Sequence, residues 1–90
     1  MTKQKKGMTI NMKLASEFHD GMILPADTPF KVYGEADKPV TVSIDFNSGV
    51  FWPKDGTFAV ELKPHKAGGP YTMFIECNGE ITKIHNVYFN

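Results

Sequence analysis

Apolar and polar residues alternate with period two wherever the chain has a period, and no window repeats apolar residues at i, i+3, i+4 and i+7 over three turns. The pattern predicts an all-β chain. Met8, Ile10, Met12 and Leu14 alternate with polar neighbours, and Phe18-His19-Asp20-Gly21-Met22-Ile23-Leu24 follows as an early strand with a kink before Pro25. Phe30, Val32 and Gly34 share one face against Lys31, Tyr33 and Glu35, between Pro29 and Asp37-Lys38-Pro39. Val40, Val42, Ile44 and Phe46 alternate cleanly with Thr41, Ser43 and Asp45, so all four are assigned to an inward face.

Asn47-Ser48-Gly49 reads as a turn into a short aromatic segment, Val50-Phe51-Trp52. Lys54-Asp55-Gly56 reads as a hairpin turn into residues 57–63, because glycine takes positive φ without a Cβ clash. After a connection at 64–70, Tyr71, Met73, Ile75 and Cys77 face one way, and Asn78-Gly79 supplies a type I′ turn into a last strand over 81–89. About seven short antiparallel strands without helix predict an immunoglobulin-like β-sandwich. Tyr71 stands at a strand start two residues before Met73, a position that suits either a tyrosine corner or a ring capping the core. Trp52 has the size to fill the centre of a small sandwich and is assigned to the core.

Ninety residues leave room for one domain, and 41% hydrophobic with 22% charged residues is a globular composition rather than a disordered one. Ten Lys balance ten acids, but the charge is unevenly placed: residues 1–13 hold four Lys and no acid, leaving six Lys against ten acids afterwards. The chain therefore divides into a basic leader, 1–13, and a domain, 14–90, with a first strand that starts as early as Met8. The leader reads as a solvated terminus, with a membrane or nucleic-acid tether as the alternative. It lacks the apolar h-region of a signal peptide. There is no Arg for bidentate grips on phosphate or guanine, which argues against a nucleic-acid partner. No stretch approaches the ~20 apolar residues of a membrane-spanning helix.

Chemistry is sparse. Ser16, Glu17, His19 and Asp20 are close in sequence, but neighbours on an extended chain point to opposite sides, and no glycine elbow accompanies them. His65 and His85 lack metal spacing, and one cysteine with three scattered His falls short of a zinc site. Asp27, Asp37, Asp45 and Asp55 lack the spacing of a calcium loop and suit turn positions. Cys77 falls on the core face, as an inert buried thiol and no disulfide partner. No catalytic residue, metal site or cofactor is expected. Binding is the stronger expectation: Tyr33, Phe74 and Tyr88 carry the parity opposite to the core residues of their strands, and are the candidate docking or binding face.

Phe18-His19-Asp20-Gly21-Met22-Ile23-Leu24 followed by Phe30-Lys31-Val32-Tyr33-Gly34-Glu35-Ala36 resembles the opening of bacterial sialate O-acetylesterases, which run F-S-D-G-M-V-L-Q and then V-x-V-W-G-x-A. The resemblance continues through Val40-Thr41-Val42, Asp55-Gly56-Thr57-Phe58, the segment Ala67-Gly68-Gly69-Pro70-Tyr71-Thr72-Met73, and Ile84-His85-Asn86-Val87-Tyr88-Phe89. It implies a non-catalytic β-sandwich that precedes and packs on an SGNH-type hydrolase domain removing acetyl groups from sialic acid or related glycans, in a periplasmic or secreted protein. No position here matches the family's G-Q-S-N nucleophile motif, so none of its catalytic residues is carried over. Phe58 replaces a common Trp, and Asn90 stands where Gly would follow. The alternative is a free-standing carbohydrate-binding or cell-surface adhesion module using the same aromatics with Asn and Asp side chains.

Overall fold

The computed structural model describes residues 12–90. It is all-β, with eight strands: β1 (Met12–Leu14), β2 (Ile23–Leu24), β3 (Phe30–Ala36), β4 (Val40–Ile44), β5 (Asn47–Phe51), β6 (Thr57–Leu62), β7 (Gly68–Cys77) and β8 (Glu80–Phe89). They form a three-stranded sheet, β1-β3-β6, and a five-stranded sheet, β2-β8-β7-β4-β5. Met12 and Lys13, assigned to the leader, already belong to β1. The rest of that leader, and a strand start at Met8, lie outside the described residues.

The two sheets share one core. Phe30, Val32, Phe58, Val60 and Leu62 enter it from the three-stranded sheet, and Val40, Val42, Ile44, Met73, Ile75, Cys77, Ile84, Val87 and Phe89 from the other. Each is at an alternate position of its strand, which is how a sheet buries one face. The exception is informative: Ile84 and Val87 are three apart, because a two-residue step of β7, from Tyr71 to Met73, opposes a three-residue step of β8, from Val87 to Ile84, and Asn86 takes φ 58° in the resulting bulge.

Several sequence expectations need correction. Among the described residues there are eight strands where the pattern predicts about seven, and they are not all antiparallel: the early kinked strand is two short strands in different sheets, β1 antiparallel to β3 and β2 parallel to β8. The β4–β5 turn is Asp45-Phe46, with Asp45 at φ 55°, so Phe46 is 98% exposed at its tip instead of continuing the core face. Asn47-Ser48-Gly49 is strand, and Gly49 is required there because a Cβ would stand 2.9 Å from the Val60 side chain. Trp52 follows the half-buried Phe51 and takes the opposite parity, which leaves it 69% exposed rather than in the core. Asp55-Gly56 does not close a hairpin; it carries the chain from β5 in one sheet to β6 in the other. Asn78 (φ 53°) and Gly79 (φ 83°) do form the two-residue β7–β8 turn expected of them.

Candidate functional site

Between β1 and β2 the chain crosses from one sheet to the other, and the crossing is fastened by its own polar residues. The Asp20 carboxylate accepts the His85 backbone N–H at 2.8 Å, and the Gly21 N–H donates to the His85 carbonyl at 2.9 Å. His85 is at the β8 bulge, where an extra residue interrupts the ladder and leaves backbone groups in need of partners. The Tyr88 N–H then donates to the Met22 carbonyl and the Asn90 N–H to the Leu24 carbonyl, both at 3.0 Å. The segments 18–24 and 84–89, distant in sequence, are thus one structural unit.

Where the crossing segment leaves β3 it opens a groove of about 750 Å³, walled chiefly by Phe18, Met22, Ile23, Pro25, Phe30 and Tyr33. The Phe18 and Tyr33 rings meet edge-on, with centroids 5.0 Å apart at 83°. The Tyr33 hydroxyl donates to the Glu17 carboxylate, and that bond, with some burial and the Glu17 charge, raises the Tyr33 pKa above its ordinary value. Ile23 is 64% exposed at the rim.

The three aromatic candidates are divided by the fold. Tyr33 is on β3, in the three-stranded sheet, at the groove wall. Phe74 and Tyr88 are on β7 and β8 of the five-stranded sheet, so the outward faces that carry them belong to a different layer. All three are partly exposed, at 37%, 40% and 42%. Tyr88 is paired with Ile23 and therefore adjoins the groove rim. Phe74 is paired with Lys83, whose ammonium is 6.0 Å from the ring centroid. Five residues along β8 at ~3.3 Å each separate Lys83 from Tyr88, so Phe74 and Tyr88 are roughly 15 Å apart along the sheet. Tyr33, Phe74 and Tyr88 are not one face.

The residues considered for a triad are otherwise engaged. Glu17 holds the Tyr33 hydroxyl, Asp20 holds the His85 amide, and His19 Nδ1 is 2.9 Å from the carbonyl of Asp20. Asp27 (φ 61°) and Asp45 (φ 55°) occupy left-handed turn positions, which Asp tolerates better than most residues. Cys77 is buried, and burial raises its thiol pKa.

Sequence reasoning weighs His65 only as a metal ligand and misses the cluster it centres. Its Nε2 is 2.7 Å from the Asp45 carboxylate and its Nδ1 2.7 Å from the Lys66 carbonyl, while its ring stacks on Phe89 at 4.3 Å and meets Tyr71 edge-on at 4.9 Å. The Asp45 hydrogen bond and then the Lys66 carbonyl raise its pKa, against an opposing effect of burial. Tyr71 accordingly packs on His65 and Phe89, and among the described residues its hydroxyl makes no hydrogen bond to upstream backbone of the tyrosine-corner kind. No local signal marks this cluster, since its members are separated by up to 44 positions and meet only in the fold.

The site thus belongs to an all-β module with an apolar side groove and a fastened sheet crossing. No family model and no curated protein matches the chain. Among solved structures it is similar to a carbohydrate acetylesterase from Xanthomonas citri, with a TM-score of 0.82 and 27% identity over 88% of this chain. The match covers 19% of that enzyme, so the chain spans about a fifth of its length, a share consistent with a non-catalytic domain.

Proposed function

We propose that this chain is a non-catalytic, immunoglobulin-like accessory domain that packs on an SGNH-type hydrolase domain of the sialate O-acetylesterase kind, in a periplasmic or secreted protein. The observation that carries the reading is the 27% identity to a fifth of a carbohydrate acetylesterase. It is supported by the way the two segments most like the family, 18–24 and 84–89, are joined by Asp20 and β2 into one unit beside the groove. Tyr33 in the groove, with Tyr88 at its rim, is the part of the aromatic set we assign to docking. The hydrolysis itself belongs to the partner domain.

A second reading, a free-standing glycan-binding or adhesion module, draws on a different surface. Phe46 and Trp52 flank β5 and are more exposed than any core function would allow, and sugar rings stack on such side chains. Sequencing the gene past codon 90 separates the two. An in-frame hydrolase segment carrying G-Q-S-N is expected. A stop codon there overturns the accessory reading, and acetylated-sialoside hydrolysis by the 90-residue chain above buffer background overturns its non-catalytic part.

A further inference from the structure

One strand edge in the groove is open. β1 ends at Leu14 opposite Gly34, and the Ala15 N–H adds a last bond, 3.1 Å, to the Tyr33 carbonyl. In an antiparallel ladder the polar groups of successive residues point to opposite edges. Tyr33 therefore directs its backbone toward β1, and Lys31, two residues earlier, has the same orientation. Phe30 and Val32 direct theirs toward Leu62 and Val60 of β6. Residues 15–22 have by then crossed toward the other sheet, and among the described residues no backbone group takes the Lys31 N–H or C=O. The edge faces the groove, which Lys31 lines.

We propose that the Lys31 edge and the apolar groove receive an extended apolar segment of the adjoining esterase polypeptide, added to β3 as a short strand in line with β1. The deduction rests on the accessory-domain reading above. An unpaired donor and acceptor beside apolar walls match the backbone and alternate side chains of an extended peptide. A glycan would need several converging polar wall groups; here Glu17 is held by the Tyr33 hydroxyl and His19 by the Asp20 carbonyl, which leaves Lys31 and Glu61 beside walls that are otherwise apolar. The source follows from the C-terminal residue: the Asn90 N–H and C=O are fastened to Leu24 and Ala26, so polypeptide joined there emerges at the Pro25 end of the groove.

Hydrogen exchange at the Lys31 amide tests this, compared between the 90-residue chain and the full-length gene product. The amide is expected to exchange freely in the short chain and at least about tenfold more slowly in the long one. Ile23→Glu, at an exposed rim position, is expected to restore fast exchange in the long protein, whereas Phe46→Glu leaves it slow. Equally fast exchange in both, when the gene does encode a hydrolase, overturns the groove assignment and spares the accessory reading. Protection in the short chain that grows with its concentration identifies a second copy as the occupant and also overturns it. A stop codon after Asn90 overturns both.

Discussion

His65 shows how one side chain can tie together loops that the backbone leaves apart. Both of its ring nitrogens face acceptors, a carboxylate and a carbonyl, and only the doubly protonated imidazolium donates to both. Through Asp45 it clasps the β4–β5 turn, and its own carbonyl accepts the Asp27 N–H at 2.8 Å, which adds the turn before β3. Asp45 is the charged group in contact with it. The folded pKa is raised above an unfolded value of about 6.5. Folding then takes up a proton in the interval between the two values, so stability from this contact is complete below about pH 6.5 and is lost as pH rises through the folded pKa. A charge-assisted bond at this partly exposed position contributes about 1 kcal/mol. Urea midpoints should show Asp45→Asn less stable than the natural chain near pH 6 and the gap closing toward pH 9; a gap independent of pH would mean that titration of the ring is not linked to folding through Asp45.

At the level of strands, legibility depends on whether the deciding interaction is local. The alternations of β3, β4, β6 and β7 name their buried residues correctly, and Asn78-Gly79 names its turn, because parity and turn chemistry are properties of neighbouring residues. The same reliance on neighbours misplaces Phe46 and Trp52. Phe46 has the right parity for the core, and only the left-handed Asp45 removes it from the strand. Asp20 is weighed in the sequence only as a triad member and set aside, yet it acts on His85, 65 positions away, and no pattern in the sequence announces that. The bond makes the parallel β2–β8 pair testable. Asp20→Ala should cost about 1 kcal/mol, while Asp20→Asn keeps an acceptor oxygen and should cost less. The His85 amide should exchange faster in the alanine variant; unchanged exchange there would show that β8 holds its bulge unaided.

For the molecule as a whole, the question is whether two sheets of unequal size make one cooperative body or two. Val32 in the three-stranded sheet and Ile75 in the five-stranded sheet are both fully buried in a single cluster, and no disulfide joins the layers. The layers are therefore held by apolar packing and by the chain itself, which passes from one sheet to the other between β1 and β2, β2 and β3, β3 and β4, β5 and β6, and β6 and β7. Trimming an apolar side chain in either layer weakens the same core. Ile75→Val should cost about 0.5–1.5 kcal/mol and Val32→Ala somewhat more, an appreciable part of a total stability of roughly 5–15 kcal/mol. If the core is common, each substitution moves one shared midpoint, and far-ultraviolet and near-ultraviolet circular dichroism trace the same curve. Two separated transitions, with Val32→Ala shifting only one of them, would show that the sheets fold independently. The groove between them would then be a hinge, and an extended segment docked on β3 would no longer be held against a fixed wall.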